Sequence, residues 1–172
     1  MDRAAMQAAF DDVFDQALVF HGFTDYMRDY ELITYSVAAP ETGIAPSFDR
    51  YLFRYCVEAT ITSTLTPRIW ADSLDERLID HETGKDLDGY VWGVRWQALY
   101  PGARLSEESE IADKWARAVG IPFHEAVIEG NGHRIVLVFS DLVVIRGLQA
   151  GYSPFKVQES ERRGTADQDQ AR

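Results

Sequence analysis

The sequence predicts a single α+β domain whose mostly antiparallel sheet, of about five to six strands, packs against three helices. Three features of the chain lead there. Residues 50–64 alternate in polarity, as a strand with one face on a core does. Gly130-Asn131-Gly132 separates two apolar runs, which is a hairpin signature. Amphipathic stretches with helix-starting or helix-stopping residues lie upstream of each.

Taken in order, the first helix is expected over Asp2–His21. Met6, Phe10, Val13, Phe14, Ala17 and Leu18 recur at three- and four-residue spacing, Asp11, Asp12 and Asp15 lie opposite, and Gly22 is placed to end it. Asp25–Val37, rich in Tyr, Ile and Thr, is a strand, and the Pro- and Gly-bearing residues 39–46 are a loop. Arg50–Thr64 reads as one long strand. Tyr51, Phe53, Tyr55, Val57, Ala59 and Ile61 share one face of it, and Arg54, Glu58, Thr60 and Thr62 the other.

Thr66-Pro67 starts a second helix reaching Asp80, with Trp70, Leu74 and Leu78 as its stripe. An acidic loop leads to a strand over Gly89–Leu99. Ser106 caps a third helix with Glu107 and Glu108 in its first turn, and Ile111, Trp115 and Val119 are its apolar side. Phe123–Ile128 and Arg134–Phe139 form the hairpin, Leu142–Arg146 follows as a strand, and Phe155–Val157 as a last short one. The domain is expected to span 1–157, with 158–172 a disordered polar tail because no apolar period continues.

Hydrophobic residues make up 46% of the chain, and nine Phe, eight Tyr and four Trp supply large side chains for a core. One cysteine, Cys56, excludes an internal disulfide and any multi-cysteine metal site, and is expected in or near the core. Met1-Asp2-Arg3 opens an acidic amphipathic segment rather than a secretory signal. No apolar run approaches the roughly 20 residues needed to cross a bilayer, so a cytoplasmic protein is expected. Twenty-eight acidic against 17 basic residues give a net charge of −11. That disfavours nucleic acid and anionic membranes, and favours association with a basic macromolecule.

Chemistry-bearing patterns are sparse. His21, His81, His124 and His133 lack metal-ligand spacing, and His21 and Asp25 straddle Gly22, so one helix does not hold both. Asp80, Glu82, Asp86 and Asp88 invite a calcium reading, but counting from Asp80 puts Lys85 at the sixth place and Val91 at the twelfth. Phosphate-loop, dinucleotide and nucleophile-elbow patterns do not occur. No cofactor, metal or catalytic residue is therefore expected. Arg28, Arg54, Glu58 and Arg95 fall at strand positions and form a candidate ligand patch if their strands are neighbours. Cross-strand ion pairing is the ordinary alternative. The run Asp25–Glu31 is dense in Tyr and charge, as interfaces often are.

Four runs, residues 20–31, 52–57, 88–94 and 138–142, resemble the YxiG-like family of bacterial proteins. The resemblance carries over no functional residue. Because some relatives are encoded beside secreted polymorphic toxins, it implies an immunity role.

The leading expectation is a non-enzymatic cytosolic binding protein, an immunity protein that neutralises a basic toxin domain. Asp72, Asp75, Glu76, Asp80, Glu82, Asp86 and Asp88 are its candidate partner-binding surface. Two alternatives stand beside it. One is a small-molecule-binding protein or enzyme using Arg54, Glu58 and Arg95; the other is a homo-oligomeric accessory protein. The sequence leaves the oligomeric state open.

Overall fold

A computed structural model describes residues 1–24, 26–36, 40–68 and 97–148. The first helix, α1 (Arg3–Asp11), starts where the Asp2 carboxylate accepts the Ala5 N–H at 2.8 Å. It buries Met6, Ala9 and Phe10. Two turns of helix suffice for that, and the chain then bends through Asp12–Asp15, with Asp15 at φ 61°. Residues Ala17–Thr24 form strand β1, not the second half of the expected helix. Ala17-Leu18-Val19-Phe20 fits either period, but as a strand the segment gains a ladder against β2 (Asp29–Ser36), interrupted by a register shift at Val19. Phe14, expected on the apolar stripe, is exposed.

The remaining strands are β3 (Ser47–Arg54), β4 (Glu58–Ser63), β5 (Gln97–Ala98), β6 (Gly102–Leu105), β7 (His124–Glu129), β8 (His133–Phe139) and β9 (Asp141–Leu148); helix α2 (Glu110–Val119) precedes β7. They build two antiparallel sheets, ordered β5-β1-β2-β3-β9 and β4-β8-β7-β6. The sheets face each other across one core. Leu32, Tyr51, Phe53 and Leu142 from the first meet Ala126, Ile128, Ile135, Leu137 and Phe139 from the second, with Met6 and Phe10 of α1 closing the layer. Phe53 packs edge-on against Phe139 at 4.9 Å and stacks on Phe10 at 6.0 Å. α2 lies outside, where Ala112 meets Phe123 and Val138.

The fold is thus α+β and mostly antiparallel, as expected, but among the described residues it has nine strands in two sheets and two helices. The expected helix Thr66–Asp80 lies, beyond Arg68, outside the described residues. So do Gly89–Arg95 and Trp96 of the expected strand, Phe155–Val157 and the tail. The third helix begins at Glu110 with Ser109 as its cap, not Ser106, because Ser109 accepts the Ala112 N–H at 3.2 Å. Gly120 ends it in the left-handed conformation at φ 81°. No helix among the described residues is long and apolar enough to cross a membrane.

The expected single strand over 50–64 is two strands, one in each sheet. Its alternation holds at Tyr51 and Phe53, which are wholly buried, breaks where Tyr55 is exposed and Cys56 buried, and resumes at Ala59, which packs on the core opposite Leu137. The cause is Tyr55 at φ 52°, a left-handed residue that turns the chain from one sheet into the other. Such a conformation costs a non-glycine residue about 1–2 kcal/mol. Four hydrogen bonds hold the bend. The Tyr55 N–H donates to Oδ1 of Asp29 at 2.8 Å and the Cys56 N–H to the Arg28 carbonyl at 2.8 Å. The Val57 N–H donates to the Val138 carbonyl at 2.8 Å, and the Ser140 N–H to the Arg54 carbonyl at 3.0 Å. β8 and β9 cross between the sheets at the same place, so β3 with β9 and β4 with β8 form one long bent ladder.

Replacing Asp29 by Ala strips a buried N–H of its acceptor and is expected to lower the unfolding free energy by about 1–3 kcal/mol. Tyr55→Gly removes the left-handed strain and is expected to stay within about 1 kcal/mol of the parent. Urea unfolding of both variants checks the pair; a larger loss in Tyr55→Gly than in Asp29→Ala would overturn this account of the bend.

Candidate functional site

Three groupings of polar side chains stand out around this frame. The first is the bend itself. Arg28, in the turn between β1 and β2, and Arg54, the last residue of β3, both place their guanidinium groups over the Tyr55 ring, at 5.2 and 5.3 Å from its centroid. Arg54 also lies 3.8 Å from Asp141, its register partner on β9, and Arg28 lies 4.0 Å from Asp29. The Met1 amino group approaches Asp141 to 2.6 Å. Beside Arg28, Tyr26 and Met27 project from the turn, both with φ 62°; Tyr26 is fully exposed and Met27 is 70% exposed. Three of the four described non-glycine residues with positive φ therefore belong to this corner.

The second is a cleft of about 350 Å³ at the start of α2, whose lining includes Glu107, Glu108, Glu110, Asp113 and Glu125. Glu125 is spoken for: its two carboxylate oxygens accept the Ser106 hydroxyl at 2.6 Å and the Ser109 hydroxyl at 2.8 Å. Arg3 donates to the Ser106 carbonyl on the same rim. His124 sits in the wall, its pKa held below the ordinary value by burial and then by Arg3. Glu107, Glu108, Glu110 and Asp113 are exposed and make no ion pair among the described residues.

The third is buried. The Tyr30 hydroxyl lies 2.6 Å from Nδ1 of His21, and burial pushes the phenol up to about 12. A protonated phenol donates, so Nδ1 of a neutral imidazole accepts. Burial lowers the His21 pKa, and His133 nearby adds to the effect. His133 in turn meets the Gln97 side chain at 2.8 Å. Cys56, near this pair, is pushed up to about 12 by burial, and its thiol donates to the Glu58 carbonyl at 3.3 Å. A thiol so held is a core residue and a poor nucleophile.

Among the candidates read from the sequence, the structure brings Arg28 and Arg54 together at the ring of Tyr55. Glu58 lies past the bend, exposed at the start of β4, and the ion pair of Arg54 is with Asp141 instead. Arg95 and the acidic set Asp72, Asp75, Glu76, Asp80, Glu82, Asp86 and Asp88 lie outside the described residues. Asp25 does too, and the partner of His21 is Tyr30. No group of three or more metal-ligating side chains occurs among the described residues. Tyr55 as a platform and the α2 cleft were not singled out from sequence. The cleft had one signal, the acidic run Glu107-Glu108 with Glu110 and Asp113 close behind.

The profile of the YxiG-like protein family matches residues 2–158, nearly the whole chain. The chain belongs to the YxiG-like family. No curated protein and no solved structure matches it. Within this YxiG-like fold the four segments that resemble the family fall unevenly. Residues 52–57 are the end of β3 and the bend, 138–142 are the crossing from β8 to β9, 20–31 contain the Tyr26–Arg28 turn, and 88–94 lie outside the described residues.

The neutral His21 sets a pH dependence whose sign follows from its lowered pKa. The unfolded chain takes up a proton near the ordinary value of 6.5, while the folded protein resists it, so stability falls as the pH drops below about 6.5. His21→Gln keeps an acceptor for the Tyr30 hydroxyl and no longer titrates. It is expected to flatten the decline between about pH 6.5 and 5. Identical slopes for variant and parent in thermal melts across that range would show that His21 does not carry it.

Proposed function

We propose that this protein works by binding another protein rather than by catalysis, and that it is an immunity protein which neutralises a basic toxin domain by covering its working surface. The observation that carries the reading is the α2 cleft. In a chain of net charge −11, four carboxylates at its mouth are exposed and unpaired among the described residues. Unpaired carboxylates around a concavity suit a lysine or arginine side chain entering from a partner, and the long-range field of the chain draws a basic partner in. The close polar groups of the described residues, by contrast, are committed to structure: Glu125 to two serines, Asp29 to the Tyr55 N–H, and Asp49 to Arg146.

Affinity capture of the tagged chain from its host lysate at low and high salt tests the reading. A basic protein is expected at low salt and in reduced amount at high salt. Expressed alone that protein should arrest growth, and co-expressed with this chain it should not. Glu107→Lys, Glu108→Lys and Asp113→Lys combined are expected to slow association by roughly tenfold or more at low salt, because steering acts on the encounter rate. A captured partner that is harmless alone, or an association rate that neither salt nor these substitutions change, would sink the proposal.

A further inference from the structure

The arginines at the bend are held differently from Arg50 and Arg146, the other arginines of the five-stranded sheet. Arg50 donates to Glu31 at 2.6 Å, and Arg146 donates to Asp12 at 2.7 Å and Asp49 at 3.1 Å. Arg28 and Arg54 find carboxylates only at 4.0 and 3.8 Å, beyond hydrogen-bond reach. The one side-chain hydrogen bond of Arg54 is a 3.5 Å contact to the Tyr55 hydroxyl, and Arg28 makes none among the described residues. Each guanidinium carries five planar N–H donors, so nearly all of them at this corner are unspent. Both groups face water, at 61% and 41% exposure, and the shared ring fixes where they stand. The neighbouring Asp29 does not answer them, because it is 7% exposed and committed to the Tyr55 N–H.

Tyr26 and Met27 add an apolar flank. A hairpin turn ordinarily shows water small or polar residues with φ > 0. Here a fully exposed tyrosine and a largely exposed methionine take that conformation side by side, next to Arg28. Tyr, Met and Arg are the side chains enriched at protein interfaces, and buried Tyr and Arg are their usual anchors.

We propose that this corner is a docking site for an acidic peptide segment of a partner protein. A Glu or Asp carboxylate takes N–H bonds from Arg28 and Arg54, and the residues flanking it lie against Tyr26 and Met27. Charge complementarity selects the occupant, since the corner exposes two guanidiniums whose N–H donors are largely unspent, on a chain that is otherwise strongly acidic. The apolar flank selects a peptide over a free anion. The site is separate from the acidic cleft, so it stands or falls independently of the basic-partner reading.

The test uses the full chain, isotope-labelled, with an acetylated Glu-Leu-Glu-Leu-Glu-Leu peptide as probe, its Lys-Leu counterpart as control, and inorganic phosphate as the free anion. Nuclear magnetic resonance follows the Nε–H signals of Arg28 and Arg54 and the backbone amides of Met27 and Tyr55. The Glu-Leu peptide is expected to shift all four saturably. Arg28→Gln with Arg54→Gln, both at exposed positions, is expected to weaken binding about tenfold or more while the unfolding midpoint stays near that of the parent. Tyr26→Ser with Met27→Ser is expected to weaken the peptide alone and leave any phosphate response unchanged. The proposal is overturned if the Glu-Leu peptide gives no saturable shift, if the double arginine variant binds it as the parent does, or if the Lys-Leu peptide gives the same shifts. Phosphate acting as well as the peptide, or no loss in the Tyr26 and Met27 variant, overturns the peptide assignment in favour of a bare anion contact.

Discussion

The Asp29 carboxylate at the Tyr55 N–H is the contact on which the rest of the architecture turns. It accepts from a residue forced into the left-handed region, at the one place where two neighbouring strands pass together from one sheet to the other. Without that bend, β3 and β4 would be one flat strand and Phe53 could not meet Phe139 edge-on across the core. The bend also interrupts the alternation, delivering Cys56 inward and Tyr55 outward. An outward Tyr55 then becomes the ring on which Arg28 and Arg54 rest. One hydrogen bond from a backbone N–H to a side-chain carboxylate thereby links the packing of the core to the chemistry of the surface.

The five-stranded sheet handles its buried charge in a second, separate way. Glu31 and Asp49 are almost fully buried, and a desolvated carboxylate is costly unless it is paired and hydrogen-bonded. Glu31 takes the Nε–H of Arg50 across the β2–β3 pair. Asp49 takes two bonds, one from Arg146 and one from the Gly147 N–H at 2.9 Å. Gly147, at φ 67°, lets β9 turn its amide to the carboxylate. Arg146 continues to Asp12 in the turn after α1 and stands over the Tyr51 ring at 5.7 Å, so the helix is pinned to the sheet by charge as well as by Phe10. Such pairs add little net stability over an apolar pair, but removing one partner leaves a buried charge alone, which fixes register and docking.

How much of this the sequence disclosed depended on whether a local signal met tertiary competition. The Gly130–Gly132 hairpin was legible because turn chemistry acts within a few residues; its loop closes with the Gly130 N–H on the His133 carbonyl at 2.9 Å. The body of α2 was legible for the same reason, but its start was not. Ser106 and Ser109 are equally good caps in sequence, and Glu125, fifteen or more residues away, binds both. The second half of the first predicted helix became β1 because the ladder with β2 outweighed a period that the residues fit equally well. The bend was invisible: tyrosine does not announce a positive φ, and the acceptor that sustains it lies on another strand. Among the site residues, Arg28 and Arg54 stood out as charges on apolar strands, whereas the ring that unites them read as one more core aromatic.

Charge acts on two length scales here, and they need not agree in sign. A net charge of −11 sets the field felt at a distance, which salt screens within about 8 Å under physiological conditions. That field favours a basic partner and speeds its arrival. Once surfaces touch, only the groups within a few ångströms count, and at the bend those are two guanidiniums with free donors and a pair of exposed apolar side chains. A basic partner can present an acidic loop, and the corner would then fix its orientation while the cleft holds a basic side chain. Opposite local charges at two points on one surface permit fewer docked poses than a uniform acidic face, because any rotated pose sets like charges against each other. Under the proposed reading, the weakly compensated Arg28 and Arg54, held together and in view, would supply that restriction on the docked pose.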